Sequence, residues 1–325
     1  MRGLARASAW LGVMVLIAGT AQAGPLPSVL SGGEDHAVRR WDAASKPADA
    51  VGTLPGAIEA LAVDGSGATV AAAGADGTLQ VWSLADAHSL FSVHAHEGGA
   101  LAVAFSPDGK RIATGGADRH IKLWNRADSK LLVDIKGHDD AVSALLFTSD
   151  GSLLVSGGAD RLIRVWKVRS AGAQRYALEY QSNIDAHDDA ITALALSPDD
   201  KIIASVSKDG YLKTWRMDGG GLLNRIRASE QSVRAVAFSP DGKMLATGGA
   251  DGKIRLWDAA KGTPLPFAGG PASKGVETLV WTPDGKVLVS GGGDGVLRYW
   301  SLPGGQPLDT VDTNDGAVHA VVLMP

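Results

Sequence analysis

The sequence contains no cysteine. Without a thiol the chain cannot form disulfides, thiolate-ligated zinc or iron–sulfur sites, thioether-attached haem, a cysteine nucleophile or a lipidated N-terminal cysteine. Aromatic residues make up only 6% and charged residues only 20% of the 325 residues, whereas hydrophobic residues make up 45%. This composition supplies enough apolar side chains for a large core and too few charges for a disordered polar chain, so we expect the chain to fold.

Long hydrophobic runs are also missing, apart from one short run at the N-terminus. Residues 1–23 begin with Arg2 and Arg6, continue with an apolar run at 9–18 and end in Ala-Gln-Ala. The run is well short of the roughly 20 residues that a helix needs to span a bilayer, which disfavours an uncleaved anchor. The three-part pattern predicts a secretory signal peptide cleaved near Ala23. We therefore expect a periplasmic or secreted mature chain, residues 24–325, with no membrane insertion.

An excess of positive charge is absent too. Residues 24–325 contain 29 Lys and Arg against 35 Asp and Glu, a net charge of −6. A negative balance disfavours binding to a phosphate backbone, so no nucleic-acid partner is expected.

The sequence also lacks HExxH, GxSxG, GxxxxGK[ST] and any Cys/His metal spacing. We accordingly predict no catalytic residue, no cofactor and no metal site.

Tryptophan recurs with a period near 42 residues. Seven of the nine Trp residues follow one another at intervals of 41, 42, 42, 49, 42 and 43, namely Trp41, Trp82, Trp124, Trp166, Trp215, Trp257 and Trp300. Each ends an alternating segment such as Ile-Lys-Leu-Trp at 121–124, which is typical of a strand. A fixed period of this length indicates an array of one repeated supersecondary unit.

The segments before each tryptophan show turn chemistry between further short strands. Thr-Gly-Gly-Ala-Asp at 114–118 predicts a small-residue strand that ends in a tight hairpin. The strand predicted at 100–105 runs into Ser-Pro-Asp-Gly at 106–109, a turn with Pro and Gly where a β-turn favours them. Each unit therefore predicts short antiparallel strands, and no helical periodicity follows the leader.

This unit resembles the WD40 repeat family over the whole of residues 24–325. The resemblance rests on Trp-Asp at 41–42 and 257–258, on the Ser/Thr-Gly-Gly-x-Asp turns, and on Gly137-His138 ahead of Val142. It implies a single all-β domain, a seven-bladed WD40-type β-propeller. The chain starts in mid-unit at 28–33 and ends in a first-strand segment at 317–324, so we expect these ends to pair and close the ring.

The resemblance also implies a buried hydrogen-bonded set of His, Ser/Thr, Asp and Trp in each blade. Three blades carry the full set: His96, Thr114, Asp118 and Trp124; His138, Ser156, Asp160 and Trp166; His187, Ser205, Asp209 and Trp215. Ser, His and Asp are also the residues of a catalytic triad. Because a nucleophile site need occur only once, whereas repeated sets satisfy buried polar groups, we predict that they are structural.

The other four blades depart from this set. Leu54, Ser229, Ala272 and Asn314 stand where the His is expected, and the blade of Trp82 has Ala72 in place of Ser/Thr. We expect these blades to be held less firmly.

A basic residue lies two positions before six of the seven Trp residues: Arg39, Lys122, Arg164, Lys213, Arg255 and Arg298. This row suggests either a polyanion site or a solvated face balanced by nearby acids, and the alternation with apolar residues favours the second interpretation.

In this family the loops before the first strand and the hairpins between the second and third strands surround the mouth of a central channel. Here they supply Asp139, Asp140, Asp188 and Asp189. One position in each first strand also varies, with Glu59, Leu101, Ser143, Thr192, Arg234, Glu277 and His319 at equivalent places. We predict a partner-binding site made of the four Asp residues and the four charged members of four consecutive blades, Glu59, Arg234, Glu277 and His319.

Alternatives to this site remain open at the level of sequence. The charged residues of the first strands would equally form ion pairs among themselves, and the Asp residues would equally serve as solvated loops. A metal at His319, Glu59 and Glu277 is weakly supported, because one His and two separated carboxylates lack a typical spacing. The interval of 49 predicts an extended connection at 168–183 on the opposite face, with Tyr176 and Tyr180 as a second contact surface or a neutral lengthening.

Two function classes follow from these features. The first is a non-enzymatic protein–protein interaction platform, a scaffold or accessory subunit that binds one or more extracytoplasmic proteins, as the WD40 resemblance implies. The second is a ligand-binding or enzymatic propeller that uses its central channel. The absence of catalytic motifs favours the first.

Overall fold

The computed structural model describes residues 26–41, 47–170, 172, 175–313 and 316–324. The signal peptide predicted at 1–23 lies outside the described residues. The described residues form 28 β-strands and contain no helix, hence none long and apolar enough to cross a membrane.

The strands have the following bounds in chain order. They are β1 Val29–Gly33, β2 Ala37–Trp41, β3 Pro47–Thr53, β4 Ile58–Val63, β5 Thr69–Gly74, β6 Thr78–Ser83, β7 Ser89–His94, β8 Ala100–Phe105, β9 Arg111–Gly116, β10 His120–Asn125, β11 Leu131–Lys136, β12 Val142–Phe147, β13 Leu153–Gly158 and β14 Leu162–Ser170. They continue as β15 Tyr176–Asp185, β16 Ile191–Leu196, β17 Ile202–Ser207, β18 Tyr211–Arg216, β19 Leu222–Arg227, β20 Val233–Phe238, β21 Met244–Gly249, β22 Ile254–Asp258, β23 Pro264–Leu265, β24 Val276–Trp281, β25 Val287–Gly292, β26 Val296–Ser301, β27 Gln306–Asp312 and β28 Val318–Leu323.

These strands form seven four-stranded antiparallel sheets, the blades of a ring. Blade 1 has the order β28-β1-β2-β3, and blades 2 to 7 each take the next four strands, from β4–β7 to β24–β27. The innermost strand of every blade contacts the innermost strands of both neighbours, so the sheets stand around a central channel. The predicted all-β, seven-bladed propeller is confirmed.

Blade 1 closes the ring with strands from both ends of the chain. β28 pairs antiparallel with β1 in the register Val29↔Leu323, Leu30↔Val322 and Ser31↔Val321. Leu30 and Val321 are buried in the cores on either side of this sheet. The predicted closure is confirmed, and it pairs two strand edges that would otherwise invite association with other chains.

The hairpins between second and third strands depend on an Asp and on one residue with a left-handed backbone. Gly77, Gly210, Gly252 and Gly295 have φ between 75° and 89°, while His36, Arg119 and Arg161 have φ of 64°, 73° and 73°. A left-handed conformation is unfavourable for a residue with a side chain. The Asp before it offsets this cost by accepting a hydrogen bond from a backbone amide two residues on, as His120 N–H donates to Asp118 Oδ1 at 3.1 Å.

The core is divided into seven clusters, one between each pair of neighbouring blades. In the cluster between blades 3 and 4, Ile121 and Leu123 pack with Val142, Leu154 and Trp166. Small residues in the second strands allow this close approach. A Cβ added to Gly115 would lie 2.6 Å from Val142 Cγ1, so the sequence needs glycine where the next blade packs.

The hairpin β14–β15 is longer than its equivalents in the other blades. β14 has nine residues and β15 has ten, against six in most strands, and their pairing continues out to Ser170↔Tyr176. Extra residues of the 49-residue interval therefore lengthen two paired strands.

Candidate functional site

A hydrogen-bond chain crosses each of blades 3, 4 and 5. In blade 4, His138 Nδ1 lies 2.8 Å from Asp160 Oδ1, His138 Nε2 lies 2.7 Å from Ser156 Oγ, and Trp166 Nε1 donates to Ser156 Oγ at 2.9 Å. The equivalent distances are 2.9, 2.8 and 2.9 Å in both other blades, in the sets His96, Asp118, Thr114, Trp124 and His187, Asp209, Ser205, Trp215. In each of these three blades the structure thus brings the four predicted side chains into one hydrogen-bonded chain.

The direction of these hydrogen bonds bears on catalysis. Because the Asp160 carboxylate only accepts, His138 Nδ1–H donates to it, and Nε2 then accepts the hydroxyl proton of Ser156, whose oxygen accepts from the Trp166 indole. Ser156 and His138 are fully buried. A nucleophile needs access to a substrate, and this hydroxyl already holds the indole in the core. A buried hydroxyl whose partners all lie within the blade fits the predicted structural role.

Burial also sets the titration of these groups. It lowers the pKa of His96 and of His187 below the ordinary value of 6.5, although the neighbouring carboxylates oppose it. Burial alone would raise the pKa of Asp118, but hydrogen bonds from the His120 amide and the His96 ring outweigh it and lower that pKa below 3.8.

These shifts predict acid lability. Below about pH 6.5 the unfolded chain binds protons at His96 and His187 that the folded chain does not, so the free energy of unfolding falls as pH falls. A second loss follows below about pH 4, where the unfolded Asp residues bind protons first. Urea unfolding between about pH 7 and pH 5 should therefore show decreasing stability.

A double variant tests the two histidines. His96→Asn/His187→Asn should be less stable at every pH, but its free energy of unfolding should depend less steeply on pH. The exposed His94→Asn serves as control. An unchanged slope in the double variant contradicts the assignment.

An arginine replaces the histidine in three of the four remaining blades. Arg39 contacts Asp35 at 2.8 Å, Arg255 contacts Asp251 at 2.7 Å, and Arg298 contacts Asp294 at 2.7 Å. In these three blades an ion pair to the same Asp stands where the imidazole lies in the others, and our expectation that these blades are held less firmly stays a prediction. Blade 2 has neither residue. The predicted Asn314 position lies outside the described residues.

The basic row before the tryptophans is thereby accounted for within each blade. In the three blades that have the His, the basic side chain donates to the backbone carbonyl of the residue directly before that His. The three hydrogen bonds, each 2.6 Å long, are Lys122 Nζ to Ala95 O, Arg164 Nη1 to Gly137 O and Lys213 Nζ to Ala186 O. All six basic residues are directed to partners in their own surroundings, in agreement with the balanced-face interpretation of the sequence.

The channel is lined by one equivalent residue from each innermost strand. Every first strand has a β-bulge at this residue, because the pairing with the second strand skips it. The seven bulged residues are Glu59, Leu101, Ser143, Thr192, Arg234, Glu277 and His319, and all of them line the channel and its opening of about 690 Å³. A bulged residue has no cross-strand partner, which turns its side chain away from the sheet.

Neighbouring bulged residues contact one another around the opening. Arg234 forms a hydrogen-bonded ion pair with Glu277 of the next blade, and His319 Nδ1 lies 3.8 Å from Glu59 Oε2. Ser143 and Thr192 use their hydroxyls to reach the next blade's backbone, where Ser143 Oγ donates to Ile191 O at 2.6 Å. The four charged residues predicted from sequence thus lie together as two pairs.

The two charged pairs differ in how well they are satisfied. The Arg234 and Glu277 side chains, 38% and 18% exposed, satisfy each other. His319 Nδ1 is buried and has no hydrogen-bond partner in the described part of the chain. The ion-pair interpretation therefore fits Arg234 and Glu277, whereas the pair of His319 and Glu59 lacks a hydrogen bond to His319 Nδ1. Among the described residues no group of three or more His, Asp and Glu side chains is placed to hold a metal ion.

The four predicted loop carboxylates are exposed beside this opening. Ala141 and Ala190, which line the opening, directly follow Asp140 and Asp189. Asp139 contacts Arg164 at 3.0 Å and Lys136 at 3.4 Å, and these hydrogen bonds, that of Arg164 foremost, lower its pKa. Backbone amides of Asp139 and Asp188 donate to the Asp residues of the buried sets, so the loops are anchored to the blades.

Seven four-stranded blades, buried His–Ser/Thr–Trp chains and a polar channel mouth define a WD-type β-propeller. The family described as "WD domain, G-beta repeat" matches residues 49–83, 87–125, 129–167, 178–216, 220–258 and 265–301. The chain belongs to the WD40 family. These six matches leave out β1, β2 and β28, the three inner strands of blade 1, which come from the two ends of the chain.

Comparison with solved structures agrees with this fold. The structure of U3-55K matches with a TM-score of 0.72 and 20% sequence identity, over 83% of this chain and 86% of that chain. At this identity the likeness concerns the fold alone. No curated protein sequence matches the chain.

Proposed function

We propose that the protein is a non-enzymatic interaction platform, a scaffold or accessory subunit of an extracytoplasmic complex. A partner protein binds the mouth face, defined by Glu59, Arg234, Glu277, His319, Asp139, Asp140, Asp188 and Asp189. The observation that carries this proposal is the row of seven bulged residues, which differ from blade to blade while the core residues around them repeat.

The fold itself does not require charge at these positions. Ser143 satisfies its place with one hydroxyl, and Leu101 fills the equivalent place with an apolar side chain. Since uncharged residues suffice there, we attribute the charges at the four consecutive bulged positions to recognition of a partner and not to stability of the fold. Unlike charges at a rim fix the orientation of a partner and accelerate its association.

Membership of the WD40 family supports the protein-binding part of the proposal, and the predicted signal peptide supports the extracytoplasmic part. WD40 propellers generally bind other proteins, and fold by itself does not define a chemistry. The extracytoplasmic setting rests on the signal peptide predicted at residues 1–23. Mass spectrometry of the protein from its native host tests it, because cleavage after Ala23 yields a mature chain that begins at Gly24.

The Arg234–Glu277 pair permits a charge-swap experiment. Arg234→Glu and Glu277→Lys each place like charges side by side, whereas the double variant restores an ion pair of opposite polarity. We expect each single variant to slow association with the partner by about tenfold, and binding of the native protein to weaken as salt rises. The double variant should recover the melting temperature but not the association rate, which separates recognition from stability.

Crosslinking identifies the face and the partner in the same experiment. A photoreactive residue at Asp140, on the mouth face, should crosslink the partner in native envelopes, while the same group at Lys286, in the turn between β24 and β25 on the opposite face of blade 7, should not. Both positions are exposed. Crosslinks from Lys286 alone, or a normal association rate in the charge-swapped double variant, would move the site to the opposite face.

A further inference from the structure

A second pocket lies on the face opposite the mouth, where the long β14–β15 hairpin leans over blade 3. Its volume is about 700 Å³. Phe91, Leu132 and Tyr176 form its apolar wall, and Lys110, Arg111 and Arg126 supply positive charge. We call these six residues the basic pocket. Lys110 and Arg126 lie beside the turns at the far ends of the strands from the mouth loops, so the basic pocket is separate from the proposed mouth-face site.

Arg111 is the unusual residue of this pocket. Its side chain is only 12% exposed, and its guanidinium lies 5.1 Å from the centroid of the Tyr176 ring. Its one side-chain hydrogen bond within the described residues is a long contact of 3.4 Å to Asp108, and its Nε–H is buried with no acceptor. A guanidinium has five N–H donors, and a buried donor without an acceptor is unfavourable. The site therefore favours an added acceptor.

The acids in and near the pocket are already engaged. Asp128, the one acid among the lining residues, accepts a hydrogen bond from the Lys130 amide at 3.2 Å, so it offsets only one of the three positive charges. Asp108 accepts hydrogen bonds from Ser106 Oγ at 2.6 Å and from the Lys110 amide at 3.1 Å, which hold its turn. Asp64 pairs with Arg126 at 3.3 Å. Lys110 is exposed and forms no ion pair in the part of the chain that the structure describes. The pocket thus keeps positive charge next to an apolar wall.

We propose that the basic pocket binds a peptide segment of a partner protein in which a carboxylate adjoins a large apolar side chain. The carboxylate pairs with Arg111 and Lys110, because the planar guanidinium matches a carboxylate and presents unused donors. The apolar side chain packs against Phe91, Leu132 and Tyr176. Leu90, 41% exposed, continues this wall to the outer rim, which suits an extended segment better than a small anion.

Fluorescent pentapeptides provide the probes for the whole mature chain: acetyl-Ser-Phe-Asp-Leu-Ser-amide and its Phe-Asn counterpart, beside free 3-phenylpropionate and inorganic phosphate. We expect the Asp peptide to bind about tenfold or more tightly than the Asn peptide, and to shift the Nε–Hε NMR signal of Arg111. Arg111→Gln should weaken binding about tenfold and Tyr176→Ala severalfold. Lys110→Gln, at an exposed residue, should weaken it without affecting the fold.

Arg169→Gln is the matched control, because Arg169 is an exposed residue of the same hairpin that pairs with Glu179 at 2.8 Å outside the pocket. This variant should bind the Asp peptide like the native protein. Equal binding of the Asp and Asn peptides, or unchanged affinity in folded Arg111→Gln and Lys110→Gln, overturns the proposal. So does binding of phenylpropionate or phosphate with both peptides inert, which would make the pocket a site for small anions.

Discussion

Deletion of residues 317–325 is expected to unfold the propeller or convert it to aggregates. The deletion removes β28, whose Val318, Ala320 and Val321 are buried, and it leaves the edge of β1 unpaired. Losing the burial of several apolar side chains on both sides of the strand costs roughly 5–10 kcal/mol, which is comparable to the whole stability of a typical domain. Circular dichroism melting and size-exclusion chromatography of the mature chain measure the effect.

A circular permutant provides the control for this deletion. Joining residues 316–324 by a short linker ahead of residue 26 keeps β28 beside β1 while moving the chain end, so it should melt close to the native temperature. A synthetic peptide of residues 316–324 should partly rescue the truncated chain. If the truncated protein melts at the same temperature as the full mature chain, ring closure by β28 does not hold the propeller together.

Substitution of His138 or Asp160 by alanine is the second large effect that we expect. His138 is fully buried between Asp160 and Ser156, so His138→Ala leaves a cavity and removes one buried hydrogen bond from each of these two residues. Asp160→Ala frees the imidazole and also the amides of Asp139 and Leu162. Each change should lower the free energy of unfolding by about 1–3 kcal/mol, measured by urea denaturation.

An exposed pair of the same chemistry is the matched control. His120 Nδ1 lies 2.6 Å from Asp134 Oδ1, but both side chains are more than a third exposed. His120→Ala should therefore cost well under about 1 kcal/mol. Full stability of His138→Ala together with loss of a measured activity would show that the buried set is catalytic and not structural.

The sequence by itself determined the repeated unit, the number of blades and the closure of the ring. Each of blades 2 to 7 forms its ladder within about 40 consecutive residues, so the regular Trp positions and the Asp and Pro-Asp-Gly turns specify it locally. The segments at 28–33 and 317–324 are the two parts of one such unit, which is why closure was predictable without coordinates.

Only the tertiary structure decided which side chains meet between blades. Arg234 pairs with Glu277 and His319 with Glu59 because a β-bulge in each first strand turns these residues into the channel, and a bulge has no signature in the hydrophobic pattern. Arg298 replaces a missing His because its guanidinium reaches the same Asp. Tyr176 covers Arg111 because the long hairpin leans on a neighbouring blade. Each contact joins residues by the packing of sheets, and local sequence does not encode that packing.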